Sequence, residues 1–420
     1  MNADLLFAPT HDERHLLDEI AIREADLARL VAAWAEINSG SGNREGLDRM
    51  RDRVAAQFAQ LGAEVSEVAL PPSEVVEADG STSRADYAPA IQIVCRPEAP
   101  MHVALTGHYD TVFPADSPFQ HVGRIDTDRL RGPGVADMKG GLVVMFEALR
   151  ALERSPHASR LGWKVLISPD EEIGSPGSRS ALAELGAWAH AGMTFEPALA
   201  DGCLAGARKG SGRFALVVHG RSAHAGREPH RGRNAIAAAA RFAAAVDALN
   251  GSRGGTTFNV ARIEGGGPLN IVPDLAVCRF EIRVPSASDG QWGQSEVERL
   301  VRSTVENDGL AARLFGGITR PPKPLAPENR RLLEFTREVG RALGLDLGWR
   351  DTGGACEGNN LWGAGCPNVD TLGVRGGGTH SDQEFLVLPS LVERSQLSAL
   401  MLMKMATGVF DVRGLQGAPS

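Results

Sequence analysis

No stretch of this chain approaches the roughly 20 apolar residues that cross a bilayer as a helix. The longest low-polarity segment, Ala235 to Val246, is alanine-rich and interrupted by Arg241. A surplus of positive charge is also missing. Against 52 Asp and Glu there are 44 Lys and Arg, a net charge of −8. That argues against nucleic acid or an anionic membrane as the main partner, since both are held by cationic surfaces. Cysteine is scarce. Cys95, Cys203, Cys278, Cys356 and Cys366 are odd in number and form no C-x-x-C pair, the pattern of free thiols in a reducing compartment. The amino-terminal segment sets Asp4, Asp12, Glu13 and Asp18 around a short apolar run, Leu5 to Ala8, unlike a secretory signal. The cytoplasm is the expected location. Two hydrolase signatures are absent as well. Without G-x-S-x-G a serine hydrolase is disfavoured, and without H-E-x-x-H a protease of that zinc class is excluded. No cysteine-hydrolase signature surrounds Cys356.

What is present is an ordinary globular composition, 43% hydrophobic and 23% charged over 420 residues, enough for two domains. Residues from about 14 to 62 read as two helices separated by the loop Asn38-Ser-Gly-Ser-Gly-Asn43. From Ala90 onward, strands and helices alternate: a strand at 103–105, a helix at 139–152, a strand at 163–167. This order implies an α/β domain with a largely parallel sheet, whose ligands gather at the carboxyl ends of strands. Around Gly210 the character changes. A strand at 214–218, a helix at 234–249, a strand at 276–284 and a helix at 295–305 describe a small inserted α+β domain. The proline-rich Arg320-Pro-Pro-Lys-Pro-Leu-Ala-Pro327 is its return hinge. The first domain is therefore discontinuous, 1–208 and 321–420, around an insert of 209–320.

Five potential metal ligands stand in distinctive local sequences. His108 lies in Gly107-His-Tyr-Asp110, where Asp110 can fix the imidazole in its ligating tautomer. Asp137 precedes Met138-Lys-Gly-Gly141 and also suits a helix cap. Glu171 and Glu172 follow a buried-looking strand, though such a pair is often merely exposed. Glu196 is flanked by Phe195 and Pro197. His380 follows three glycines that let the backbone approach a ligand. Two imidazoles with three or four carboxylates are the donor set for two zinc-like ions sharing one bridging carboxylate, a site for metal-assisted hydrolysis.

Together, and in this order, these motifs resemble the zinc metallohydrolase family of acetylornithine deacetylase, succinyl-diaminopimelate desuccinylase, aminoacylase and bacterial glutamate carboxypeptidase. The spacings of 29, 35 and 24 residues between His108, Asp137, Glu172 and Glu196 resemble the family's too. The resemblance implies a phosphorylase/hydrolase-like zinc-exopeptidase domain with a mostly parallel sheet, carrying an inserted ferredoxin-like lid and dimerisation domain. It implies two divalent ions, zinc foremost, with cobalt or manganese as substitutes in vitro. Asp137 would bridge them, with His108 and Glu196 on one and Glu172 and His380 on the other. Glu171 would be the general base and Asp110 the partner of His108. A cis peptide is implied at Asp137–Met138.

In the insert, Val218-His-Gly-Arg-Ser-Ala-His-Ala-Gly226 resembles the family's lid strand, so His224 would reach the other subunit's site in a homodimer. By itself His224 also reads as a loop histidine. Asn270 and Arg283 fall where family members contact substrate, and a guanidinium suits a carboxylate. Arg283 equally suits a strand-face salt bridge, and Lys209 is a weaker substrate candidate that equally marks the hinge. Gly353 and Gly354 begin a loop in which Ala355, Cys356 and Glu357 replace the family's usual polar residues. The expected activity is hydrolysis of the amide bond of a peptide or N-acyl amino acid bearing a free carboxylate. The alternatives are N-acetyl- or N-succinyl-amino-acid deacylation and a non-catalytic metal-binding relative. Retention of Glu171 with all five ligands favours catalysis.

Overall fold

A computed structural model describes residues 6–305 and 310–415; Asp4 and Leu5 of the amino-terminal stretch lie outside them. The larger body is built on a six-stranded sheet. Its order is Glu64–Val68, Ala90–Cys95, Leu161–Ser168, Met101–His108, Ala191–Thr194 and Asn368–Val369. The last four strands are mutually parallel, and the first two pairings are antiparallel. The sheet is thus mixed but mostly parallel. The central strands read "VALTG" and "WKVLIS" without polar alternation because helices cover both faces. Gly140–Glu153 and Pro389–Thr407 pack together on one side, and both are buried over most of their length.

Residues 210–320 form a separate four-stranded antiparallel sheet with its own apolar core around Phe214, Phe242 and Phe280. Chain order is strand Gly210–His219, helix Ala235–Asp247, strands Thr257–Gly265 and Leu275–Val284, helix Ala287–Thr304, strand Ala311–Arg320. In the sheet the second strand lies at one edge and the fourth at the other, with the third and first between them. This is the ferredoxin-like β-α-β-β-α-β arrangement. The hairpin strands Ser73–Val76 and Thr82–Ala85 come from the larger body, and Val76 packs onto the open face of this sheet against Val217 and Val277.

Several boundaries differ from the periodicity. The first expected helix is two, His11–Ala21 and Glu24–Ala35. The break falls at Ile22, whose side chain is exposed, and the earlier helix begins on a capping box between Thr10 and Glu13. The second helix of the insert starts at Ala287 rather than 295. Ser286 caps it, and the helix tolerates Gly290 and Gly293 because both face the sheet. Periodicity does not mark the edge strands Thr257–Gly265 and Ala311–Arg320, whose apolar content is low. Among the described residues no helix is long and apolar enough to cross a membrane.

One glycine is required by close approach. A Cβ on Gly141 would sit 2.0 Å from the carbonyl oxygen of Phe195, because the helix start is pressed against the strand end that leads to Glu196. Helix propensity alone favours Gly141→Ala by roughly 1 kcal/mol. Overpacking against backbone costs about 1–3 kcal/mol and should win. Chemical denaturation is expected to show a destabilised Gly141→Ala protein.

Candidate active site

The carboxyl ends of three adjacent parallel strands deliver three of the motifs to one place. His108 ends its strand directly opposite Ser168 in register. Glu171 and Glu172 follow Ser168 through a turn closed by Gly174, which has φ +97°. Glu196 follows the strand Ala191–Thr194 by two residues. Asp137 arrives on the loop before the helix Gly140–Glu153, and His380 on a turn of positive φ between short antiparallel strands. The Asp137–Met138 peptide is cis.

Asp137 lies between the two histidines. Its Oδ1 is 3.2 Å from His108 Nε2, and its Oδ2 is 3.3 Å from His380 Nε2. His380 Nε2 is also 3.2 Å from Glu172 Oε2, and His108 Nε2 is 4.0 Å from Glu196 Oε2. Glu171 joins His108 and Glu196 in one group of converging donors; His108, Asp137 and Glu172 make another. The other ring nitrogen of His108 is 3.0 Å from the carbonyl oxygen of Asp110 and 3.3 Å from its carboxylate. That contact leaves Nε2 free to face the carboxylates. Asp110 is fully buried. It accepts hydrogen bonds from the backbone N–H of Glu171 and Glu172, 3.2 Å each, and from Ser41 Oγ.

The electrostatics are those of crowded acids. Burial and the neighbouring Asp137 push Glu172 up to about 8. Burial, Glu171 and Asp137 hold Glu196 well above the usual carboxylate range. Burial opposes a charged His108, yet Asp110 and Asp137 outweigh it and raise the imidazole well above its ordinary value. Asp137 and Glu172 raise His380 to about 11. Glu196 Oε1 is buried without a hydrogen-bond partner. An unpaired buried carboxylate oxygen is costly, and a cation beside it removes the cost. The donor set therefore fits two divalent ions.

A cavity of about 430 Å³ opens over this cluster. Its wall includes Gly354 but not Gly353, His224, Asn270, Arg283 or Lys209. Arg283 is instead paired with Glu281 at 2.9 Å on the sheet of the small body, the strand-face salt bridge. His224 Nδ1 accepts from the backbone N–H of Gly226 and Arg227, and the Asn270 carbonyl accepts from Ala225 N. These two residues therefore neighbour each other, away from the chain's own cavity.

Four residues were not recognised from the sequence. Arg208, one position before the expected Lys209, lines the cavity and binds both oxygens of buried Asp370 at 2.8–2.9 Å. Lys323 donates to the same carboxylate from behind. Arg320, at the end of the hinge strand, binds Glu171 Oε1 at 2.7 Å and the carbonyl oxygens of Glu171 and Ala355. Glu384 accepts three backbone hydrogen bonds from the loop that carries Asp137. Only the position of Glu384, four residues past His380, offered a signal. In the altered loop, Cys356 lines the cavity and Glu357 turns inward to Ser168 Oγ. Burial pushes Glu357 up to about 8.

The Asp370 cluster yields a pH prediction. Burial opposes its charge, but Arg208 and Lys323 hold Asp370 down at about 2, below the unfolded value of about 3.9. A depressed carboxylate contributes stability above the unfolded value and loses it as pH falls, here between about 4 and 2. Asp370→Asn should cost about 3–5 kcal/mol near neutrality by stranding two buried cations. Acid titrations of both proteins should show the gap closing below about pH 4; a constant gap would remove the ion cluster as its cause.

Comparisons with known proteins place the chain among similar sequences and folds. The model of Peptidase family M20/M25/M40 matches residues 104–404. Carboxypeptidase G2 of Pseudomonas sp. (strain RS-16) is 25% identical over 383 residues, 89% of this chain and 87% of that protein. Succinyl-diaminopimelate desuccinylase of Gluconobacter oxydans (strain 621H) is 31% identical over 271 residues, 59% of this chain and 68% of that one. The crystal structure of a tripeptidase from Staphylococcus aureus superposes with a TM-score of 0.69 at 23% identity, covering 92% and 99% of the two chains.

Proposed function

The chain belongs to Peptidase family M20/M25/M40 and is a metallohydrolase, and we propose that it cleaves the amide bond of a peptide or N-acyl amino acid bearing a free carboxylate, in the manner of a glutamate carboxypeptidase. The carrying observation is Asp137 held between two histidines, with Glu172 beside one and Glu196 beside the other. His108, Asp137 and Glu196 would hold one divalent ion; Asp137, Glu172 and His380 would hold a second. When bound, such ions polarise a carbonyl and lower the pKa of water; zinc is the proposed metal, given the mixed nitrogen and oxygen donors.

The remaining work falls to side chains. Glu171 takes the proton from the attacking water at a carboxylate oxygen and delivers it to the leaving amine. Arg320, on Glu171 Oε1 and on its backbone oxygen, fixes that carboxylate relative to the turn. Asp110 orients His108 and braces the Glu171–Glu172 backbone. Arg208 places a guanidinium in the cavity wall, which supports a carboxylate-bearing substrate. Deacylation of N-succinyl or N-acetyl amino acids is the second reading, supported by the identity with the desuccinylase. His224 and Asn270 lie outside the chain's own cavity, which supports their reaching a partner's site in a homodimer through residues 209–320. There His224 would hydrogen-bond the developing oxyanion.

Glu171→Gln is expected to keep the metal complement and lower turnover by about 10²–10⁴-fold, whereas Glu172→Gln should weaken metal uptake. Elemental analysis and kinetics on both variants decide between them. A fully loaded Glu171→Gln protein with near-normal turnover would remove Glu171 as the base. For recognition across a dimer, in which Arg283 would leave its Glu281 partner, Arg283→Ala should raise the KM of carboxylate substrates far more than that of their carboxamides. Equal changes would exclude Arg283 from substrate binding. A panel of dipeptides and N-acyl amino acids separates the two substrate readings.

A further inference from the structure

We propose that Glu384 is a positioning residue: its carboxylate sets Asp137 against His380 and thereby decides whether the site holds two cations at once. The proposal rests on the two-metal reading above.

Glu384 is 1% exposed, and both of its oxygens are engaged by backbone. Oε1 accepts from Ala136 N at 2.9 Å and from Asp137 N at 3.0 Å, and Oε2 accepts from Gly134 N at 3.1 Å. Three N–H groups of one loop therefore converge on one charged group. With Oε1 taken by two donors and Oε2 by one, the carboxyl group is held on the Asp137 loop. Turning it toward a cation would strand buried donors. Charge-assisted bonds from backbone N–H are short and directional, so the backbone at Asp137 is held at the nitrogen adjoining its own Cα.

The other end of the clamp is His380, four residues earlier on the same short piece of chain. Its turn is closed by Ser381 N to Gly378 O at 3.1 Å and by Glu384 N to Ser381 O at 3.2 Å. Asp137 Oδ2 and His380 Nε2 stand 3.3 Å apart. Their separation is set through Glu384, whose main chain belongs to the His380 turn and whose side chain grips the Asp137 loop. His108 and Glu196 are positioned independently, by the ends of sheet strands. The clamp thus bears directly on the Asp137–His380 pair. A cation held by Asp137, Glu172 and His380 would depend on it through two donors, and one held by His108, Asp137 and Glu196 through Asp137 alone.

The loop has a second attachment that does not use this side chain. Phe385–Val387 pairs with Arg129–Arg131, and Gly132 N donates to the Glu384 carbonyl at 3.2 Å. A Glu384→Gln protein should therefore fold. Glutamine offers one oxygen where two are needed, and its amide N–H₂ faces a backbone donor. The Asp137 loop is then free to drift from His380 without leaving the sheet.

The protein, stripped of metal, would be titrated with zinc against a chromophoric chelator. Parallel titrations with cobalt would follow the visible absorption of each equivalent. Wild type is expected to take up two equivalents; fewer would defeat the two-metal reading itself. In Glu384→Gln one equivalent should bind about as tightly as before and the other at least about tenfold more weakly, the range for removing a group that orients a ligand. The cobalt band of the weakened equivalent should also shift. Two equivalents at wild-type affinity and spectrum would overturn the proposal. So would equal weakening of both equivalents together with a lower melting temperature of the metal-free protein, the mark of a merely structural brace. If the glutamine variant fails to fold, Glu384→Asp decides by the same criteria. It keeps the charge but is one methylene too short to reach all three donors.

Discussion

Everything around the site answers to the crowding of buried carboxylates at one point. Asp110, Asp137, Glu171, Glu172 and Glu196 meet where three parallel strands end, in a region largely removed from water. Each buried charge is expensive unless paired. The fold compensates them in three ways. Two histidines bracket Asp137. Backbone N–H groups and a serine hydroxyl surround Asp110. Arg320 is laid along Glu171. The oxygen left over, on Glu196, marks where a cation belongs.

The compensation also ties the two bodies of the molecule together. Arg320 ends the last strand of the small sheet, yet its guanidinium is buried against the Glu171 turn and the Ala355 carbonyl. Arg213, from the first strand of that sheet, donates to the Ile173 carbonyl in the same turn. The proposed base is thus held from the insert as well as from its own strand. A swing of the small body would act on the Glu171 turn through these two arginines. Arg283 and His224, on the same insert, stay with local partners. A site that drew on them would need a second subunit or a different pose of the insert.

Behind the cavity, Arg208, Asp370 and Lys323 form a charged cluster with an excess of one cation. The altered loop is next to it. The Gly354 carbonyl accepts from Arg208, and Cys356 and Glu357 are both buried. Ala355 and Cys356 form part of the cavity wall, while Glu357 is turned away from it to Ser168 Oγ, opposite His108 in register.

The primary structure by itself determined the class of chemistry and most of the architecture. Ligand types sit at strand ends in diagnostic order, and uninterrupted apolar strands alternate with helices. Both patterns are local, and local patterns survive in one dimension. The break at Ile22, the early start at Ala287 and the two weakly apolar edge strands were harder. There a cap, a packing face or a partner strand outweighs periodicity. Only the tertiary structure decided what Arg208, Arg320, Asp370 and Glu384 do. Each of them has a partner 145–250 residues away in the chain. Nothing in an isolated arginine or glutamate says whether it will face solvent, a salt bridge on its own strand, as Arg283 does, or the backbone of a distant loop. Burial makes that choice, because a charged group removed from water must take whichever partner the fold brings within reach.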